Sequence, residues 1–139
     1  MGSVAALDPG RDKCGFAVLD AAGSVRLQKV IQTLNLEQEI TDTYTSYGFR
    51  FLVLGNGTTS AAAMARVKAA LPDLDVVLVD EYRTTEMAKK AYWQAHPPQG
   101  WRRLLPCSML VPPEPVDDFV AVILARRFLA DKEAEEGKR

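Results

Sequence analysis

Acidic residues in three short segments of the chain could support metal-assisted chemistry. Asp8 and Glu81 each follow a strand-like apolar run, and Glu114 and Asp117 stand near the start of the last helix-like segment. Carboxylates a few ångströms apart repel one another unless a cation lies between them. Oxygen ligands without Cys or His neighbours favour Mg²⁺ or Mn²⁺ over zinc. If the fold joins these segments, they predict a site for metal-assisted phosphodiester hydrolysis.

Each of these acids also has an ordinary structural interpretation. Asp8 precedes Pro-Gly, a common turn signal. Glu81 could be a solvated acid at the end of a strand, with Asp80 beside it. Asp117 could cap the last helix, whose positive end also favours an anionic ligand. The residue types therefore leave both interpretations open at every position.

Basic and aromatic residues around the proline-rich segment 96–115 indicate contacts with nucleic acid. Cations bind phosphates, and tryptophans stack on unpaired bases, although tryptophans can equally pack a loop onto the core. His96, the single histidine, is interpreted as a loop residue. The candidate nucleic-acid contacts are Lys13, Arg83, Lys89, Trp101, Arg102 and Arg103.

Length and composition indicate a single domain over residues 1–131 and a charged tail over 132–139. The chain has 139 residues, 47% of them hydrophobic, which is enough to bury a core without disulfides. Cys14 and Cys107 match neither a zinc spacing nor a redox pair, and Cys14 is expected to be a small buried residue. The net charge of −1 argues against bulk electrostatic coating of DNA. A nucleic-acid role must depend on local cations or on bound metal.

The sequence shows no membrane or export signal. No run approaches the roughly 20 apolar residues that cross a bilayer. The N-terminal residues enter a strand-like run with no basic region before it, so we expect no secretory signal. The expected location is the cytoplasm.

The apolar periodicity predicts alternating strands and helices. Three strands joined by short links must form an antiparallel meander, because parallel neighbours need long crossovers. Two apolar runs then predict buried parallel strands, and right-handed crossovers place the fourth strand beside the first and the fifth beyond it. The expected strands are 4–7, 14–20, a third through Ile31, 51–54 and 76–79; the expected helices are 36–46, 58–71, 84–94 and 116–131.

These elements predict an α/β fold with one mixed five-stranded sheet flanked by helices. The carboxyl ends of strands 1, 4 and 5 should open at one edge, where such sheets bind ligands. Asn35 is expected to cap the first helix, and Thr58 or Thr59 the second. The last helix is expected to be amphipathic, with an apolar face made of Phe119, Val122, Ile123, Ala125 and Phe128.

The motifs resemble the YqgF-type, RuvC-related branch of the RNase H-like superfamily over essentially the whole chain. Residues 8–18 resemble the opening Asp-x-Gly-x-x-x-x-Gly-x-Ala motif, in its RuvC-like Asp-Pro-Gly form. Residues 79–85 resemble Asp-Glu-Arg-x-Thr-Thr, with Tyr82 inserted, and residues 116–121 resemble the final Asp-Ala-x-Ala-Ala helix start. RuvC resolvases carry an acid at the end of strand 4, where this chain has Gly55-Asn56-Gly57.

The resemblance implies an RNase H-like fold and a metal-dependent nuclease. Asp8, Glu81 and Asp117 would be catalytic and would hold two Mg²⁺ or Mn²⁺ ions, with Glu114 as a further ligand. The implied reaction is in-line attack by metal-activated water. The implied substrate is branched DNA, as for Holliday junction resolvases, or structured precursor RNA, as in pre-16S rRNA processing. RuvC-type enzymes act as dimers; the sequence leaves open whether this chain is a homodimer.

Two other functions fit the same sequence. A catalytically inactive RNase H-like domain could bind nucleic acid or act as a scaffold, which the near-neutral charge would allow. A nucleotide-binding relative of the actin-like kinases would share the meander and the Asp-x-Gly turn. Those kinases close a second domain around ATP, which 139 residues do not supply. Divalent-ion affinity distinguishes the first alternative from the nuclease.

Overall fold

Strands and helices alternate in a computed structural model that describes residues 3–57, 59–80, 84–97 and 117–137. Short links join the first three strands, and helices connect the later ones. A short 3-10 turn, Thr33–Asn35, precedes the first helix. The strands are β1 Val4–Asp8, β2 Lys13–Leu19, β3 Val25–Gln32, β4 Phe51–Gly55 and β5 Asp75–Val79; the helices are α1 Leu36–Tyr47, α2 Ser60–Ala70, α3 Thr84–Ala95 and α4 Asp117–Gly137.

The five strands form one mixed sheet in the order β3-β2-β1-β4-β5. β1 pairs antiparallel with β2, and β2 with β3. β4 runs parallel to β1, and β5 runs parallel to β4. The predicted sheet, including the order of its strands, is confirmed. The carboxyl ends of β1, β4 and β5 consequently lie at one edge, which we call the carboxyl edge.

The two faces of the sheet contribute to separate hydrophobic clusters. Ala5 and Leu7 of β1 belong to the cluster that α1 and α2 cover. Val4 and Ala6 belong to the cluster that α3 and α4 cover. Successive strand residues point to opposite faces, so one strand serves both layers.

β5 is less buried than its sequence predicts. Its residues are half-buried or exposed, and Leu78 is 51% exposed. The prediction of a buried strand was therefore wrong. β5 has a described strand partner, β4, on one side only, whereas β1 and β4 lie between two strands each. An apolar run does not distinguish the centre of a sheet from its margin.

Two predicted helix caps do not form. Asn35 and Thr59 occupy the positions before α1 and α2, but neither side chain bonds to the helix amides. Capping residues normally have extended backbone, whereas Asn35 has ψ 14° and Thr59 has ψ 3°. Thr58 lies outside the described residues.

α4 is longer and more enclosed than expected. It extends through Gly137, past the predicted end at residue 131. Residues 120–125 are all buried, together with Phe128, so burial is not confined to one stripe. α4 packs on β1, β2 and β3 and also against α3, which explains why more than one side of the helix is covered.

The expectation that Cys14 is a small buried residue is confirmed. Cys14 is buried, 1% exposed, in the cluster beneath α1 and α2. Its Sγ lies 3.4 Å from the Thr33 Oγ1 hydroxyl. Within the described ranges, none of the helices combines the length and the apolar character needed to cross a bilayer.

Candidate active site at the carboxyl edge of the sheet

Asp8 is the last residue of the central strand β1 and is half-buried. It pairs with Gly15 of β2. Because side chains alternate along a strand, Asp8 shares the face of Val4 and Ala6, which α4 covers. The residue with the strongest predicted role thus stands at the carboxyl edge, on the side of the helix that begins with Asp117.

Glycines occupy the strand positions on both sides of Asp8. Gly15 is its partner in β2. In the parallel pair, Leu7 lies opposite Leu54, and the same register extended by one residue sets Gly55 beside Asp8. Neither neighbouring strand position therefore carries a side chain beside Asp8.

The turn that follows Asp8 is held on two sides by threonine hydroxyls. Thr59 Oγ1 donates to the Pro9 carbonyl at 3.0 Å, and Thr33 Oγ1 donates to the Gly10 carbonyl at 3.0 Å. The Thr33 amide also donates to the Asp12 carbonyl at 2.9 Å. A Cβ on Gly10 would lie 2.2 Å from the Lys13 carbonyl oxygen, so this position requires glycine. The turn is therefore tight and fixed.

Arg66 of α2 connects this turn region to α1. Its Nη2 donates to the Thr33 carbonyl at 2.8 Å, and its Nε donates to Glu37 Oε2 at 2.9 Å. A second, shorter bond joins the guanidinium to Glu37 Oε1. These hydrogen bonds, with the charge of Arg66, hold the pKa of Glu37 below its ordinary value and raise the pKa of Arg66. The pair is thus connected through Thr33 to the turn that follows Asp8.

The start of α4 is tied to the sheet by a hydrogen bond from β3. Gln28 Nε2 donates to Asp118 Oδ2 at 3.1 Å. Gln28 pairs with Ala17, which pairs with Ala6. The contact therefore lies two residues below the level of Asp8, about 7 Å along the strand direction. This bond orients the helical turn that carries Asp117.

The structure describes less of the other three predicted site residues, Glu81, Glu114 and Asp117. Glu81 and Glu114 lie outside the described residues, and the side chain of Asp117 is not described, although its backbone begins α4. Among the described residues, no three His, Cys, Asp or Glu side chains form a group that could hold a metal ion. The four-carboxylate site stays a prediction.

The predicted nucleic-acid contacts have different environments. Lys13 is exposed at the start of β2, at the carboxyl edge, whereas Lys89 is half-buried on α3. Arg83, Trp101, Arg102 and Arg103 fall outside the described ranges, as does most of segment 96–115.

Two aromatic residues of α3 pack inward. Trp93 is buried and lies edge-on to Tyr92, with 5.1 Å between ring centroids. It belongs to the core and not to a base-stacking surface. His96 is exposed just after α3, and its amide donates to the Tyr92 carbonyl, in agreement with its interpretation as a loop residue.

A cleft of about 520 Å³ lies between β5 and the second half of α4. Arg127 reaches from α4, and its Nη1 donates to the Asp80 carbonyl at 2.8 Å. Asp8 is not among the described residues that line this cleft.

Sequence reasoning missed the contacts that support the site. Thr33 to Gly10, Thr59 to Pro9 and Gln28 to Asp118 join residues 23, 50 and 90 positions apart. Thr59 was interpreted as a helix cap, and Gln28 was not singled out. A threonine beside a turn does not reveal its distant carbonyl acceptor, so no local signal identified these pairs.

No protein-family model and no curated protein matches the chain. Among solved structures, the chain is similar to RuvC of Thermus thermophilus, with 14% identity over 88% of this chain and 90% of that chain and a TM-score of 0.57. The nuclease domain of the large terminase subunit of bacterial virus Sf6 matches at 15% identity, over 58% and 38% of the two chains, with a TM-score of 0.47. An exopolyphosphatase of Cytophaga hutchinsonii matches at 11% identity, over 66% and 38%, with a TM-score of 0.43.

The likeness to RuvC extends over nearly the full length of both chains and agrees with the observed sheet. Together they identify the RNase H-like α/β fold, as predicted. At 14% identity this likeness defines the fold and does not define the reaction. The two partial matches, with TM-scores below 0.5, add nothing to that conclusion.

Proposed function

We propose that the chain is a divalent-metal-dependent endonuclease that hydrolyses phosphodiester bonds in branched DNA or in structured precursor RNA. One observation carries the proposal. Asp8 ends the central strand on the face covered by α4, the helix that begins with Asp117. The motif predicts a catalytic aspartate at the end of the first strand, and Asp8 is the last residue of β1, which supports the proposal.

The chemistry of the donors fits a hard divalent cation. Asp8 offers carboxylate oxygens, and the strand positions on either side of it, Gly15 and Gly55, carry no side chain. Asp8, Glu81 and Asp117, with Glu114 as a further ligand, would hold Mg²⁺ or Mn²⁺. Bound there, two such ions would lower the pKa of the attacking water and stabilise the leaving oxygen.

The residues around Asp8 would orient its carboxylate. The bonds from Thr59 and Thr33 fix the turn after the strand, so the carboxylate needs little reorganisation when a ligand binds. The bond from Gln28 holds the first turn of α4. Precise placement of reacting groups accounts for a large part of enzymatic rate enhancement, which is the role we propose for these contacts.

The charge distribution agrees with a local mode of substrate binding. Net charge is −1, so affinity cannot come from the chain as a whole. Lys13 is exposed at the carboxyl edge, and Arg83, Lys89, Trp101, Arg102 and Arg103 complete the proposed contacts with phosphates and bases. A cytoplasmic location and a homodimer that cuts two strands belong to the same proposal.

The test is cleavage of labelled four-way-junction DNA, single-stranded DNA and a structured RNA in Mg²⁺ or Mn²⁺. Asp8→Asn should lower the rate at least about 100-fold, since even supporting groups of metal sites change affinity or activity 10- to 100-fold. Asp73→Asn is the matched control, because Asp73 is an exposed aspartate in the turn between α2 and β5. Its rate should equal that of the parent.

Calorimetric titration with Mn²⁺ separates the outcomes. Metal-dependent cutting that Asp8→Asn abolishes supports the nuclease, and the cleaved substrate names its class. Absence of cutting on every substrate, together with absence of Mn²⁺ binding, would overturn the proposal. The inactive binding or scaffolding domain would then be the better description.

A further inference from the structure

The α2 region holds the turn that follows Asp8 through two separate connections. Thr59, just before the helix, donates directly to the Pro9 carbonyl. About two helical turns further along, Arg66 donates to the Thr33 carbonyl, and Thr33 bonds to the turn. The second connection begins at a charged side chain to which the proposed chemistry gives no role.

Thr33 connects Arg66 to the turn through its own polar groups. Its hydroxyl donates to the Gly10 carbonyl at 3.0 Å, and its amide donates to the Asp12 carbonyl at 2.9 Å. Its carbonyl accepts from Arg66 Nη2 at 2.8 Å. The amide, the hydroxyl and the carbonyl are thus all engaged. A shift of the Thr33 backbone would act on the turn at both Gly10 and Asp12.

Arg66 is fixed on its other side by Glu37. Nε donates to Glu37 Oε2 at 2.9 Å, and a second bond reaches Oε1. A planar guanidinium can hold a carboxylate with two donors and still direct a further N–H elsewhere, which an ammonium on a flexible stem does less well. The guanidinium therefore joins α1, α2 and the residue before α1 into one support.

The location of Arg66 favours an effect through the backbone over contact with a substrate. α1 and α2 cover one face of the sheet, whereas Asp8 shares the face that α4 covers. The bonds that start at Arg66 end on Gly10 and Asp12, two and four residues after Asp8. Small displacements of a reacting group lower reaction rates strongly, even when the cause is distant.

We propose that Arg66 is a positioning residue for Asp8: its bond to the Thr33 carbonyl keeps the turn after β1 in the conformation that sets the carboxylate for metal binding. The proposal rests on the proposed nuclease function and adds a residue on the opposite face of the sheet. Arg66 contacts neither ion nor nucleic acid in this arrangement. Its loss should therefore lower turnover and metal affinity without weakening substrate binding.

The test compares the parent with Arg66→Met in the cleavage assay and in calorimetric titration with Mn²⁺. Methionine is unbranched and apolar and donates no hydrogen bond, so the link to Thr33 is cut. kcat and Mn²⁺ affinity should each fall about 10-fold, the lower end of the effect of groups that orient metal ligands. KM for the nucleic acid should change less than about twofold, because no substrate contact is removed. Exchange of the Thr33 amide should become faster.

Three further variants separate positioning from charge and from the ion pair. Lys68→Met removes the same charge from an exposed position of α2 and should match the parent. Glu37→Gln breaks the ion pair but leaves Arg66 able to donate to Thr33, so kcat should stay close to the parent value. Arg66→Lys keeps the charge without the planar fork and should fall between parent and Arg66→Met. Circular dichroism checks that each variant is folded, and Arg66→Lys serves if Arg66→Met is not.

A double-mutant cycle tests whether Arg66 acts through Thr33. Thr33→Val removes the hydroxyl that donates to Gly10. Combined with Arg66→Met, it should cost little more than the more affected single variant, because both changes act on one connection. Thr45→Val removes a hydroxyl that donates to the Thr41 carbonyl at 3.0 Å within α1. Added to Arg66→Met, it should cause no further loss.

Each contrary outcome has its own meaning. Parental kcat and Mn²⁺ affinity in Arg66→Met, with an active wild-type chain, would overturn this inference and leave the nuclease proposal standing. A raised KM shared by Arg66→Met and Lys68→Met would assign Arg66 to substrate attraction by charge and also overturn it. Fully multiplicative losses in Arg66→Met with Thr33→Val would show that Arg66 does not act through Thr33. A wild-type chain that neither cuts nor binds Mn²⁺ would overturn both proposals.

Discussion

The two faces of the sheet differ in the size of the side chains that the central strands contribute. Toward α1 and α2 the central strands present Leu7, Phe16 and Leu52, all fully buried. Toward α3 and α4 they present Ala6 and Ala17, in addition to valine and leucine positions. Neighbouring residues in one strand therefore pack into different hydrophobic clusters.

This difference separates the main source of stability from the candidate site. Each large buried side chain contributes about 1.5–3 kcal/mol, so the face toward α1 and α2 carries much of the core. Small residues on the other face permit α4 to approach the sheet closely. At the end of β1 the same trend continues as Gly15 beside Asp8. The catalytic candidate lies where the sheet offers the least side-chain volume.

The largest expected effect comes from removing a large residue on the first face. Phe16→Ala should destabilise the protein by about 3–5 kcal/mol, because it deletes a buried ring and leaves a cavity. Urea unfolding measures this difference. Phe16→Leu, which keeps most of the apolar volume, is the control and should cost less than Phe16→Ala. A loss for Phe16→Ala below about 1 kcal/mol, the typical point-mutant effect, would contradict the assignment of this face.

Enlarging the adjacent residue tests the opposite face. Ala17→Leu should destabilise by about 1–3 kcal/mol, because Ala17 is fully buried in the cluster that α4 covers, and three more carbons must displace its neighbours. Val25→Leu adds a carbon to an exposed position of the sheet and should change stability by less than about 0.5 kcal/mol. Thermal unfolding of both variants provides the comparison. A neutral Ala17→Leu would show that α4 does not pack closely on the small residues.

Removing the bond between β3 and α4 has a smaller effect. Gln28→Leu keeps the side-chain volume but removes the donor to half-buried Asp118, at an expected cost of about 0.5–1.5 kcal/mol. Amide hydrogen exchange should increase in the first turn of α4. Gln32→Leu, at an exposed position of the same strand, should leave that exchange unchanged. Unchanged exchange in both variants would remove the positioning role proposed for Gln28.

The smallest expected effect concerns the pair on the α1 and α2 side. Bonds from Arg66 lower the pKa of Glu37 from 4.5, so the pair stabilises the fold above pH 4.5 and loses that contribution as pH falls through the lowered pKa. Glu37→Gln should cost less than about 1 kcal/mol at pH 7, because the pair is half-exposed and screened.

Urea unfolding at pH 7 and at pH 3 measures this pH dependence. The difference between parent and Glu37→Gln should shrink at pH 3, because below pH 4.5 the unfolded chain takes up a proton more readily than the folded chain, in which the pKa of Glu37 is lowered. Asp75→Asn breaks a longer and more exposed pair with Arg50, at 4.0 Å, and should have a still smaller effect. A Glu37→Gln difference that grows toward acid would contradict the lowered pKa.

Local patterns predicted most of the architecture. Short links between β1, β2 and β3 require antiparallel pairing, and the later apolar runs require parallel strands with helical crossovers. The same patterns did not predict the environment of β5 or the failure of Asn35 and Thr59 to cap. Burial depends on which strands lie on each side, and capping depends on backbone angles set by distant contacts. A window of a few residues therefore predicts neither the burial of a strand nor the capping of a helix.

The sequence by itself determined the order of the strands and the position of Asp8 at the end of the first strand. These follow from periodicity and chain length, which are local properties. Only the tertiary structure decided that Thr33 and Thr59 hold the turn after Asp8, that Gln28 bonds to the first turn of α4, and that Asp8 lies on the face of the sheet covered by α4. Those features depend on contacts between residues that meet only after the sheet and its helices have packed.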